Sequence, residues 1–229
     1  MPAPPTAWTA SWLAPARLAV AAFVAVALCF SGYRAANDPT GVVNFFSYFT
    51  NLAAIAAVAV LGYGGLAGLT GRRPVPDTVR GAVVLYVAIT GLVYGTALAA
   101  YPEQLVIPWV DDVVNRVLPL LVLADWLLDP PARRLRPVTV LGWLAFPLLY
   151  LTYALLRGRA ADWYPYPFLD PNLHGGYRRV AGACVLTAAG FLLVGSAVAA
   201  VGNALAARRD ARSGAVPSGR HARPGTADT

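Results

Sequence analysis

The chain enters its second apolar run through Asn44-Phe45-Phe46-Ser47-Tyr48-Phe49-Thr50-Asn51, which carries five hydroxyl or amide side chains. On a helix turning 100° per residue, Asn44, Ser47, Tyr48 and Asn51 share one face. Thr50 lies beside that face, about 60° from Ser47. Polar groups inside a bilayer are costly, so they are paired or functional. These residues can therefore form interhelical hydrogen bonds or the polar wall of an intramembrane pocket.

A second group is Asp111, Asp112, Asn115 and Arg116. Asp112 and Arg116 are spaced i, i+4 and can pair on one helix face, with Asn115 close to the same face. Asp125, beside Trp126, can reach the membrane interface or meet Arg133 or Arg134. A third group lies in an aromatic loop, Asp162-Trp163-Tyr164-Pro165-Tyr166-Pro167-Phe168-Leu169-Asp170, followed by Pro171-Asn172-Leu173-His174-Gly175-Gly176. Its three prolines stiffen it, and its aromatics suit the headgroup level. It reads as a headgroup-level cap or as a lid over a pocket. His221 falls in the polar tail, which leaves His174 as the histidine to consider. The sequence has no HExxH, no CxxC and no His/Cys cluster, so no metal site is expected. It also lacks a GxSxG elbow, a Walker loop and a dinucleotide fingerprint, and no cofactor is expected.

Six apolar stretches must position these groups. They run about Leu18–Tyr33, Phe45–Leu69, Gly81–Ala100, Val113–Leu128, Val138–Leu156 and Arg179–Ala207. A bilayer span takes roughly 20 mainly apolar residues. The 58% hydrophobic content, 13% charged content and mean hydropathy of +0.56 agree with that reading. Barrel strands alternate apolar and polar residues, and these runs do not. The expected fold is an all-α, polytopic bundle of six transmembrane helices. Pro119 and Pro147 sit inside spans and should kink them. Gly64/Gly68 and Gly91/Gly95 have helix-packing spacing. Cys29 and Cys184 both fall in spans and read as free thiols that pack as small apolar residues, with a disulfide between the first and last helices as the alternative.

All eighteen basic residues are Arg, and the net charge is +7. Twelve gather at the N-terminus, the second and fourth loops and the C-terminus: Arg17, Arg72, Arg73, Arg80, Arg133, Arg134, Arg136, Arg208, Arg209, Arg212, Arg220 and Arg223. Basic loops stay cytoplasmic, so both termini should lie inside. The organisation is then a short cytoplasmic segment (1–16), a transmembrane domain (17–207) and a disordered basic cytoplasmic tail (208–229). The place is the cell membrane, as a multi-pass protein. The charge is explained by topology and by attraction to anionic lipid heads. Membrane lipids are the expected partners. Nucleic-acid binding would need a folded basic domain, which the sequence does not offer.

The segment Asn44–Asn51, with Asp125-Trp126-Leu127-Leu128 and Trp163–Asp170, resembles the bacterial Pr-six-Pr integral membrane proteins. Those are similar to the eukaryotic androgen-induced six-helix membrane proteins. The resemblance covers about Arg17 to Ala207. It implies an intramembrane threonine hydrolase acting on a lipid ester, of the fatty-acid ester class. Thr50 matches the family's nucleophile. The family's partner is a His one turn before a Pro. The matching Pro is Pro119, and Asn115 stands in the His position, or Val114 if the register slips by one. Asn cannot accept the nucleophile's proton, a step worth about 10²–10⁴-fold; its amide can still donate to an oxyanion. His174, folding in from the loop, and Asp112, one turn above Asn115, are the substitute bases. Asn44, Ser47, Asn51, Asp112, Tyr164, Tyr166 and Asp170 are then expected to line or cap the pocket. The alternatives are a non-catalytic lipid- or partner-binding protein of the same fold, and a small transporter or channel.

Overall fold

The computed structural model describes residues 10–37, 41–98 and 107–214, and no strand occurs among them. The helices are α1 (Ala10–Ala35), α2 (Gly41–Ser47), α3 (Phe49–Thr70), α4 (Asp77–Val93), α5 (Pro108–Asp112), α6 (Leu118–Leu128), α7 (Pro137–Trp143), α8 (Ala145–Ala161) and α9 (Gly176–Gly214). A π-helical turn, Tyr94–Leu98, extends α4, and another, Val113–Val117, joins α5 to α6. Among the described residues, five helical stretches are long and apolar enough to cross a membrane: Trp12–Ala35, Phe49–Thr70, Asp77–Thr96, Pro137–Ala161 and Gly176–Arg212.

α4 is the central helix. Val83, Val84, Leu85, Tyr86, Val87, Ile89 and Thr90 are all buried, and α3, α6 and α9 pack around it. α1 lies along α3, where the small residues decide the spacing. A Cβ on Gly68 would come within 2.9 Å of the Ala14 Cβ. Gly91 backs onto Pro119 and the Asn115 carbonyl, while no atom among the described residues lies within 4 Å of a Cβ on Gly95. The periphery is as apolar as the core: Leu149, Val185, Leu186 and Leu193 are each at least 70% exposed. A helix apolar all round needs an apolar surrounding, which a bilayer provides.

The two expected kinks take different forms. Pro119 has no N–H for the Asn115 carbonyl, and the helix widens into the π turn, with the Leu118 N–H reaching back to the Val113 carbonyl. Pro147 likewise leaves the Trp143 carbonyl without its helical donor. The helix breaks at Leu144 instead, and the Tyr86 hydroxyl donates to the Trp143 carbonyl at 2.8 Å.

Three boundaries differ from expectation. The second stretch, taken as one helix from Phe45, is cut at Tyr48, whose backbone is extended (φ −83°, ψ 125°). The shared face of Asn44, Ser47, Tyr48 and Asn51 therefore does not exist. The tail expected to be disordered from Arg208 is helical to Gly214, because α9 runs on without a break. Ala10–Ala16, expected as a separate N-terminal segment, already belongs to α1. Residues 1–9 and 215–229, with His221, lie outside the described residues, as do 38–40 and 99–106.

Candidate functional site

The cut at Tyr48 strands carbonyls at the end of α2, and side chains satisfy them. Ser47 Oγ donates to the Val43 carbonyl at 2.6 Å. Asn51 Nδ2 reaches back across the break to the Phe45 carbonyl at 2.8 Å. The Tyr150 hydroxyl, from α8, donates to the Ser47 carbonyl at 2.8 Å. Tyr153, a turn further along α8, shares a hydrogen bond with Ser47 Oγ at 2.8 Å. Ser47 is fully buried, and Phe49 packs against Tyr86, Phe146, Tyr150 and Phe191. The polar residues Ser47 and Asn51 thus act first as caps of a broken helix. Tyr150→Phe leaves the Ser47 carbonyl without its donor. It is expected to cost about 1–3 kcal/mol, read as a lowered thermal midpoint in detergent micelles.

The break also turns the first N–H groups of α3 toward the aromatic loop. The Thr50 N–H donates to the Tyr166 hydroxyl oxygen at 3.4 Å, and Thr50 Oγ1 lies 3.4 Å from the same oxygen. Tyr166 enters from a 3₁₀ turn, Pro167–Leu169, and stacks on Phe168 with ring centroids 5.2 Å apart. Burial pushes its phenol above the usual tyrosine range, an effect opposed by the hydrogen bonds from Thr50. At neutral pH it is an uncharged hydroxyl and not a phenolate base.

The turn is held from α9. Arg179 Nη2 donates to the Pro167 carbonyl at 2.5 Å and to the Asp170 carbonyl at 3.3 Å. Tyr164 lies flat against Gly158, where a Cβ would overlap its ring. Arg157 sits 4.6 Å from the Trp163 ring centroid and donates to Asn44 Oδ1 at 2.7 Å. The loop is therefore packed in place against α8 and α9.

Under it lies a cavity of about 100 Å³. Thr50 and Tyr166 meet in its lining. Phe49, Ile89, Leu151, Leu169 and Phe191 form much of the wall, and Cys184, Thr187 and Ala188 line it from α9. Leu148 and Ala188, also in the lining, are exposed on α8 and α9, so the cavity opens sideways between these helices. No His, Asp, Glu, Lys or Arg is among the described residues lining it.

The remaining sequence candidates lie elsewhere. Asn115 is buried in the π turn, where its Nδ2 donates to Asp111 Oδ1 at 2.9 Å, and it does not line the cavity. Asp112 pairs with Arg116 at the expected spacing. His174 is exposed in the turn before α9 and does not reach the cavity. Asp170 Oδ1 accepts from the Asn172 N–H at 2.8 Å, a local turn contact outside the lining. Sequence reasoning passed over Tyr150 and the α9 wall. A tyrosine inside an apolar span must find a partner for its hydroxyl, and that signal pointed to Tyr150. Both cysteines are free thiols.

Comparison with protein-family models, with curated proteins and with solved structures finds no match.

Proposed function

We propose that the chain is a six-span membrane protein with both termini cytoplasmic, and that its function is to hold an apolar chain of a membrane lipid. The helix from Pro108 through the π turn to Leu128 supplies the sixth span. At 1.5 Å per residue it measures about 30 Å, the thickness of the hydrocarbon core. Its charged groups support this placement, since Asp111, Asp112 and Arg116 gather at one end and Asp125 at the other. The Arg distribution supports the orientation.

The observation that carries the reading is a mainly apolar cavity with a lateral opening and few polar side chains, among which Thr50 and Tyr166 are in contact. Apolar pockets with a few placed polar groups are the usual form of small-ligand sites. An acyl chain enters between α8 and α9, and its carbonyl or carboxyl end meets the Tyr166 hydroxyl and the α3 N-terminus. The second reading is a lipid-ester hydrolase with Thr50 as nucleophile, as the resemblance implies. It is favoured by the position of Thr50 Oγ1 in that contact. It needs a base that the described cavity wall does not supply. A channel is disfavoured by the same wall, because an ion or polar solute finds few partners along it.

The test uses purified full-length chain in lipid nanodiscs with a photoactivatable acyl ester. Labelling of α8 and α9 that survives Thr50→Ala and is lost in Leu148→Trp, without ester turnover, is the expected result. Hydrolysis that disappears in Thr50→Ala would replace it with the enzymatic reading. Labelling unaffected by Leu148→Trp would remove the lateral opening from the account.

A further inference from the structure

A second cavity, of about 120 Å³, lies at the opposite end of the bundle, between α1, α3, α4 and α6. Its chemistry is the reverse of the first. Arg17 from α1, Arg80 from α4 and Arg72 from the loop after α3 line it together with Asp125 and Asp129. Three guanidinium groups thus face two carboxylates in the lining, and Asp77, outside it, also pairs with Arg80.

The carboxylates are already engaged. Arg17 Nε donates to Asp125 Oδ1 at 2.5 Å, and Arg17 Nη2 donates to Asp129 Oδ2 at 2.7 Å. Arg80 Nη2 donates to Asp125 Oδ2 at 3.2 Å and to the Asp129 carbonyl at 2.8 Å. Arg80 is only 9% exposed and stacks over Trp126 at 5.5 Å. These pairs fix two arginines in place and leave the third over. Arg72 has no ion pair or side-chain hydrogen bond among the described residues, and it stands exposed at the cavity's rim.

The other wall is apolar. Val60, Gly64 and Gly68 follow one another at i, i+4 and i+8 along the α3 face, with Leu61 and Ala67 beside them. Gly64, which has no side chain, leaves a shallow trough on this face, and Ala14 of α1 closes over Gly68 at one end of it. A surplus guanidinium above an apolar trough suits a ligand with an anionic head and an apolar chain. Phosphate, the anionic group of most anionic membrane lipids, is matched by a guanidinium through two parallel N–H···O bonds.

We propose that this cavity binds the phosphate of an anionic membrane lipid, with Arg72 holding the head and the α3 trough taking the start of a chain. Arg17 and Arg80, locked by Asp125, Asp129 and Asp77, form a fixed wall behind it whose charge those carboxylates already meet. The site is independent of the cavity at Thr50 and does not depend on what that cavity holds.

The experiment titrates the full chain, in neutral detergent micelles, with phosphatidylglycerol, with diacylglycerol and with inorganic phosphate. Retained lipid is read by native mass spectrometry. The expected result is retention of phosphatidylglycerol but not diacylglycerol, weakened about tenfold or more in Arg72→Ala. Arg133→Ala, which removes an exposed charge outside the cavity, should leave retention unchanged. Gly64→Leu should abolish it by filling the trough. A Cβ there meets Arg17 Cδ and Val75 Cγ2 at an ordinary 3.8 Å, and an unchanged thermal midpoint checks that this variant folds. Equal retention by wild type and Arg72→Ala would overturn the site. Inorganic phosphate that binds in an Arg72-dependent way while no lipid is retained would overturn the lipid as its source.

Discussion

Replacing Arg17 with Ala is expected to lower stability by about 3 kcal/mol, the largest effect of any single side-chain truncation considered for this chain. Breaking a buried ion pair by removing one partner costs about 3–5 kcal/mol, because the other charge stays buried and uncompensated. Arg17 serves two such partners, Asp125 and Asp129, and Arg17 and Asp125 are each only 14% exposed. The lower end of the range applies for two reasons. Arg80 still contacts both carboxylates, and Asp129 is 38% exposed and can turn to water. The measurement is the thermal midpoint in detergent micelles for Arg17→Ala, Asp125→Asn and the double variant. A double variant closer to wild type than Arg17→Ala alone is expected, since it removes the stranded charge as well as its partner. A midpoint unchanged in Arg17→Ala would show that the network contributes nothing net.

Gly158→Ala is expected to displace the aromatic loop and cost about 1–3 kcal/mol, the usual penalty for forcing a methyl into a packed contact. The added Cβ would occupy the space of the Tyr164 ring. Tyr164 cannot retreat freely, because Tyr166, two residues on, is buried against Thr50, and Arg179 grips the Pro167 carbonyl. The strain should pass along the loop and loosen the Thr50–Tyr166 contact. Hydrogen exchange over residues 163–170 should accelerate in the variant, while exchange in α4 stays near wild type. An unchanged rate in 163–170 would mean that the ring swings aside without moving the backbone.

The membrane character of the fold is legible from composition and run length, because both depend on summed hydropathy and not on partners. Each of the five long apolar helices among the described residues overlaps a stretch visible in the sequence and overruns it at one end or both. Pro119 and Pro147 are legible as disturbances, since each lacks an N–H whatever surrounds it. The form of each disturbance depends on tertiary neighbours, Gly91 behind one and Tyr86 beside the other. The break at Tyr48 was hidden for the same reason. Its carbonyls are satisfied partly by Tyr150, 103 residues from Ser47 in sequence. Asp125 illustrates the limit most clearly. Sequence proximity suggests Arg133 or Arg134, yet its partners are Arg17 and Arg80, drawn from two other helices. At the site, Thr50 and Tyr166 stand out by residue type and the structure sets them in contact. His174 stands out equally but stays at the surface, because the turn that carries it precedes α9 on the exposed side.

The length of α9 has a mechanical consequence. Its 39 residues form one unbroken helix of about 58 Å, nearly twice the hydrocarbon thickness. Near its start, Arg179 fastens the aromatic loop through the Pro167 and Asp170 carbonyls. Far along it, Asn203 exchanges two hydrogen bonds with the Leu135 backbone, and Arg209 reaches the carbonyls of Pro130 and Pro131. The helix is thus a strut pinned at both ends, to loops on opposite faces of the bundle. A stiff strut transmits axial thrust, so a piston-like shift at the Leu135 joint must either carry the aromatic loop with it or shear the Arg179 anchor.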